Sequence, residues 1–249
     1  MKKKETPVAT IKGVSVWREF RPIEKVGLYI PGGKAAYPST VLMLGVPAKI
    51  AGCREIILCV PPGKDGKVPS AVLVAADICG ISQIFKVGGA QAIAAMAYGT
   101  ESIPKVSKIF GPGNQYVTTA KMLVYGEVDI DMPAGPSEVL VFAEKDVNPA
   151  WIAADLLSQL EHGEDSQAIL VTTSKLVAKQ VLIEVKKQIE SLERKKIVKK
   201  SLKKSFTVIV ETENQACEII NEYAPEHLEI ISKNENKILE KINNAGSVF

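Results

Sequence analysis

The sequence is poor in the residues that most often do chemistry or mark a compartment. Of 249 residues, only His162 and His227 are histidines, and only Cys53, Cys59, Cys79 and Cys217 are cysteines. No pair of cysteines has C-x-x-C spacing, and each lies in or beside an apolar segment. They are therefore expected to be buried, reduced thiols of a cytoplasmic protein, with no disulfide framework. No apolar run approaches the length of a membrane span: Val41–Val46 and Ala71–Ala76 are far too short. The start, MKKKETPVATIKGV, has positive charge but no apolar stretch behind it, so it is not expected to be a secretory signal. The formal charge is only +3, from 31 basic and 28 acidic residues. No general field for nucleic acid or acidic lipid follows from it, so neither nucleic acid nor membrane is expected as a partner.

What is present is a globular composition, 46% hydrophobic and 24% charged, long enough for one large domain or two modest ones. Short apolar β-prone runs occur at Val26–Ile30, Glu55–Val60, Ile84–Val87, Lys108–Phe110, Val139–Ala143, Ala168–Thr172, Phe206–Val210 and Leu228–Ile231. Helical patterns lie between them, near 39–51, 69–79, 90–98, 114–125, 150–161, 175–193, 213–223 and 234–243. This alternation predicts an α/β protein with parallel sheets covered by helices. The Pro- and Gly-punctuated Asp131–Pro136 follows four such units and predicts a domain boundary between about 130 and 145. The lysine-rich stretch Glu184–Lys204 reads as a solvated helix face followed by an exposed turn. No internal repeat is visible.

Three strand ends are rich in glycine: GLYIPGGKAAY from Gly27, VGGAQA from Val87 and FGPGN from Phe110. Helix N-termini that follow such turns suit phosphates. None is G-x-G-x-x-G, so each is equally readable as a turn. Both histidines sit among acids. In SQLEHGED, Gln159 and His162 are three positions apart, which predicts one helix face and a two-ligand arm for zinc or a similar cation. The competing reading is a histidine at a helix C-terminus, with Gly163 as the capping residue. In YAPEHLEII, Glu226 and His227 occupy the connection between a helix ended by Pro225 and a strand begun by Leu228. They read either as a proton-transfer pair or as a surface turn.

Taken together, VGLYIPGG, VGGAQAIAAMAYGTESIPKVSKIFGPGN, AGPSEVLV, LLSQLEHGEDSQAILVT and APEHLEI, in this order, closely resemble the histidinol dehydrogenase family. The resemblance runs from about Pro22 to Phe249. It implies two incomplete Rossmann-like parallel-sheet domains: an N-terminal extension over 1–25, an NAD-side domain over 26–140, and a second domain over 141–249. It implies zinc- and NAD-dependent oxidation of L-histidinol to L-histidine through histidinal, the last step of histidine biosynthesis, by a homodimer. Residue by residue, it assigns Gln159 and His162 to zinc and Glu226 and His227 to catalysis. Ser137, Gln159, His162 and His227 are assigned to substrate, and Tyr29, Gln91 and Asn114 to NAD. Relative to the family the chain is expected to be truncated at both ends. Two further zinc ligands, an aspartate and a histidine, would lie outside it, so a catalytically inactive fragment is the alternative expectation.

Overall fold

The computed structural model describes residues 5–32, 35–133, 135 and 137–249. Gly33 of the first glycine-rich strand end, and Ala134 and Pro136 of the punctuated segment, lie outside the described residues. The chain divides into two compact units, Met1–Gly135 and Pro136–Phe249.

Unit 1 opens with an antiparallel hairpin, β1 (Val8–Ile11) and β2 (Val14–Val16), which turns through Lys12–Gly13. There follow β3 (Lys25–Tyr29), α1 (Pro38–Ala51), β4 (Glu55–Cys59), α2 (Ser70–Ile78), β5 (Gln83–Phe85) and α3 (Gly89–Tyr98). The unit ends with β6 (Lys108–Phe110), α4 (Gln115–Val124) and β7 (Asp129–Ile130). The sheet order is β5-β4-β3-β6-β7, all parallel. Alternate residues of β3 divide the core. Val26 and Leu28 pack with Val41 of α1 and Val72 of α2, while Tyr29 joins Ile93 and Met96 of α3 on the other face.

Unit 2 contains β8 (Glu138–Ala143), α5 (Pro149–Leu160), β9 (Gln167–Thr172), α6 (Lys175–Ile189) and α7 (Lys195–Ser201). It continues through a single 3-10 turn (Leu202–Lys204), β10 (Phe206–Ile209), α8 (Glu213–Tyr223), β11 (His227–Ile231), α9 (Glu235–Leu239) and β12 (Ser247–Val248). Its order is β10-β9-β8-β11-β12, again all parallel. The division between the units precedes the expected 140/141 bound because β8 pairs along its whole length with β9, and from Val139 onward with β11. Helix starts follow local chemistry. Asn148 accepts from Ala150 N with Pro149 behind it, Ser174 accepts from Val177 N, and Thr212 accepts from Gln215 N.

Numbered within each unit, both sheets read 3-2-1-4-5, the Rossmann order without its sixth strand. The two incomplete Rossmann-like domains are thus an architectural repeat with no counterpart in the residues. The lysine-rich stretch corrects the expectation of an exposed turn. It forms α7, whose Val198 and Ser201 are fully buried, because Val198 joins the core that α5 and α6 lay over the sheet. All four cysteines are unpaired, and Cys53 is only partly buried. Among the described residues no helix is long and apolar enough to cross a membrane.

Candidate active site

In unit 2 the chemistry gathers at the amino-terminal ends of the strands. Ser137 precedes β8, and Glu226 precedes β11, which lies beside β8 in the sheet. Glu226 Oε2 accepts from Ser137 Oγ at 3.0 Å and from the Glu138 backbone N–H at 3.4 Å. His227 is the first residue of β11, so it belongs to the strand rather than to the connection before it. Its Nδ1 lies 3.3 Å from the Glu138 carbonyl oxygen and 3.8 Å from Glu226 Oε2. Both neighbours are acceptors, which favours the tautomer with hydrogen on Nδ1 and leaves Nε2 as the open basic nitrogen. The Phe249 ring stacks on the imidazole with centroids 6.1 Å apart.

The approach to this pair is tightly specified. Helix α8 ends at Tyr223, and Ala224 takes a left-handed conformation with φ +53°. Glu226 O then accepts from Ser247 N at 2.9 Å, and a Cβ on Gly246 would stand 2.7 Å from that same oxygen. β12 therefore presses on the backbone of the Glu226–His227 pair. Tyr223 OH donates to Glu138 Oε2 at 2.9 Å, and burial followed by that carboxylate pushes the phenol well above its ordinary range.

His227 and Glu229 alternate with Leu228 and Ile230, which pack toward α8, so both face the α5 side of the sheet. There Glu229 shares a hydrogen bond with Asp155 of α5. Burial, then the Asp155 charge and that hydrogen bond, push the Glu229 carboxyl up to about 7. Burial likewise raises Asp155. Gln159 lies one helical turn beyond Asp155, toward the strand ends where His227 stands two residues before Glu229. Its side chain is buried, and Nε2 has no partner among the described residues. Amide oxygen and nitrogen exchange by a flip, so a cation on Oε1 suits this orphaned group.

His162 departs from the expected geometry. Helix α5 stops at Leu160 with Glu161 as its C-cap, so His162 lies in the turn beyond and not on the helix face. The competing reading also fails in detail, since Gly163 is not the cap and does not take a left-handed conformation. A bond from His162 N to Gln159 O at 3.2 Å tightens the last turn and keeps the two residues adjacent. The imidazole is exposed. Ser201 Oγ donates to Leu160 O at 3.0 Å, Arg194 Nη1 donates to Glu161 O at 3.1 Å, and Lys200 pairs with Glu164 at 2.8 Å. The lysine-rich segment thus holds the His162 turn. Among the described residues no three His, Cys, Asp or Glu side chains gather around one cation position.

In unit 1 the predicted residues lie at the opposite, carboxyl-terminal strand ends. Tyr29 closes β3 with its ring buried, and its hydroxyl accepts from Gly89 N at 3.1 Å at the start of α3. Gln91 is exposed on the first turn of that helix, whose N-cap residue is Gly88. Asn114 follows β6, but its Oδ1 is already engaged by Tyr116 N and Val117 N as the N-cap of α4. A cavity of about 220 Å³ opens beside Gly32 and Pro61 at the ends of β3 and β4. A helix N-terminus that opens on the Gly88–Gly89 pair beside close-packed strand ends suits a dinucleotide phosphate.

The fold places the chain among the doubly wound α/β proteins, with a carboxylate–imidazole pair in its second unit. A solved NAD-dependent benzaldehyde dehydrogenase from Corynebacterium glutamicum shares the fold alone. Its TM-score is 0.61 at 14% identity, over 99% of this chain and 68% of that one. The family model described as histidinol dehydrogenase matches residues 1–249, and the chain belongs to that family. It is 59% identical over 243 residues to the histidinol dehydrogenase of Bacteroides thetaiotaomicron, covering 97% of this chain and 57% of that protein. The crystal structure of histidinol dehydrogenase from Elizabethkingia anophelis superposes with a TM-score of 0.91 at 51% identity, covering 99% and 57% respectively. The chain thus spans 57% of the length of these relatives.

Proposed function

We propose that this chain carries the acid–base pair and the dinucleotide-binding residues of a zinc-dependent histidinol dehydrogenase, converting L-histidinol to L-histidine through histidinal with two NAD+. The observation that carries this reading is Glu226 Oε2, held by Ser137 Oγ and the Glu138 N–H beside an imidazole whose Nδ1 faces only acceptors. His227 Nε2 takes the hydroxyl proton of the alcohol as a hydride leaves the carbinol carbon. Glu226 then accepts a proton from the water that adds to the aldehyde, with His227 assisting the second oxidation. Ser137 keeps the carboxylate aimed and contacts substrate. When bound, NAD+ supplies the hydride acceptor, and redox-inert zinc supplies a fixed anchor for the substrate nitrogens. Gln159 and His162 are the residues that would hold zinc, and Tyr29, Gln91 and Asn114 those that would meet NAD+. A homodimer accompanies this reading on the strength of the family resemblance.

A second reading is favoured by the metal donors, since Gln159 and His162 are half of the usual four-ligand shell. On that reading the chain binds NAD+ and turns over neither substrate. NADH formation, followed separately from histidinol and from histidinal, decides between them. His227→Asn should suppress oxidation of histidinol, whereas Glu226→Gln should fall mainly on histidinal. Equal losses on both substrates for Glu226→Gln would overturn the division of roles. A wild-type chain that binds NAD+ without turnover would establish the second reading.

A further inference from the structure

Lys121 lies on α4, and it is the one charged side chain among the buried polar residues described. Its ammonium pairs with Asp131, which follows β7 directly. An ion pair taken out of water is weak evidence of stabilisation, because desolvation offsets most of the attraction. This pair, however, is spent on a single backbone residue. Lys121 Nζ donates to Gly111 O at 3.0 Å, and Gly111 N donates to Asp131 Oδ2 at 2.7 Å.

Gly111 is where β6 leaves the sheet. Its φ is +131°, and a Cβ there would stand 2.0 Å from Tyr29 O, at the end of β3. The exits of β3 and β6 are therefore pressed together at the point where the strand order reverses, the switch point at which open α/β sheets receive ligands. On the β7 side the ladder of β6 ends at Ile109, whose carbonyl accepts from Asp131 N at 3.1 Å. The Asp131 carboxylate and the Lys121 ammonium take over from that ladder, one for the N–H and one for the C=O of Gly111. Three residues later Asn114 caps α4, the same helix that carries Lys121. Lys121 points back along that helix toward its own first turn, as helical side chains do. The loop from Gly111 to Asn114 is thus closed into a ring of bonds.

We propose that Lys121 and Asp131 are positioning residues for the dinucleotide site of unit 1, holding Gly111 so that Tyr29 and Asn114 keep their places across the switch point. This rests on the NAD+ reading given above. The test measures NAD+ binding to the whole chain by calorimetry, together with the thermal midpoint and circular dichroism. The variants are Lys121→Met and the double variant Lys121→Met with Asp131→Asn. The single variant leaves a carboxylate without its cation and loses both stability and affinity. In the double variant no charge is stranded, and the amide introduced by Asp131→Asn still accepts from Gly111 N–H, so the thermal midpoint recovers. The Gly111 carbonyl still lacks its donor, so NAD+ binding stays weaker by roughly tenfold or more. Affinity that recovers along with the midpoint would show a purely structural pair and overturn the proposal, as would failure of both variants to fold. Unchanged affinity in both variants, with wild type binding, would overturn it while leaving the NAD+ reading intact. A wild-type chain that does not bind NAD+ would remove that reading and this inference with it.

Discussion

The paired carboxyls of Asp155 and Glu229 make stability depend on pH with a definite sign. Glu229 has a folded-state value near 7 against an ordinary 4.5, raised first by burial and then by Asp155. A carboxyl raised in this way contributes its stabilisation fully below about 4.5 and loses it as pH climbs through about 7. The full difference corresponds to about 3 kcal/mol. The side chain is only half sheltered, and solvent screening reduces the effect to about 1–2 kcal/mol. Glu229→Gln keeps the shape and donates to Asp155 at every pH. The variant should therefore match wild type near pH 5 and exceed it by about 1–2 kcal/mol near pH 8. In thermal terms that is a gain of several degrees in the unit 2 transition, at about 2–4 °C per kcal/mol for a chain of this size. Urea unfolding followed by circular dichroism at both pH values measures it. The same wild-type-to-variant difference at pH 5 and pH 8 would refute the shared proton.

Two further substitutions test the loops that hold the candidate residues. Gly111→Ala places a methyl group against Tyr29 O at a backbone conformation that alanine resists, and should cost unit 1 about 3 kcal/mol or more in urea unfolding. A loss below about 1 kcal/mol would mean that the β3 and β6 exits are not pressed together as described. Ser201→Ala leaves Leu160 O without its buried donor, for a cost of about 1–2 kcal/mol, and should speed amide hydrogen exchange across residues 161–166. Unaltered exchange in that turn would separate Ser201 from His162.

The long strands were legible because they are covered on both faces and read as unbroken apolar runs. β7 and β12, of two residues each, carry no period to detect, and the β1–β2 hairpin is exposed on both faces. The spacing of Gln159 and His162 fits one helix face, but spacing does not say where a helix stops, and the turn after Leu160 intervenes. Gln159 and the Glu226–His227 pair nonetheless stand out in the sequence as candidates through their neighbours. Glu229 was missed although it is two residues past His227, the repeat that places both on one sheet face. Its partner Asp155 is 74 residues away and carries no local signal. The lysines of α7 concealed a helix whose buried positions are few, Val198 and Ser201. The shared strand order of the two units has no echo in the residues, because connection handedness and apolar runs determine it, not side-chain identity.

The Ser137–Glu226 bond joins residues 89 positions apart, and only the insertion of β11 beside β8 creates it. During folding, β8, β9 and β10 and their helices can assemble from shorter loops, while β11 must wait for a far longer closure. β12 then adds to β11 at the sheet's outer side, fastening Ser247 N to Glu226 O and bringing Phe249 onto His227. An intermediate holding the first three strands would carry much of the helical signal and a buried Val141, yet no carboxylate–imidazole contact. Signals from His227 would therefore time the final closure of unit 2, and any slow phase they report is the clock for the meeting of Ser137, Glu226 and His227.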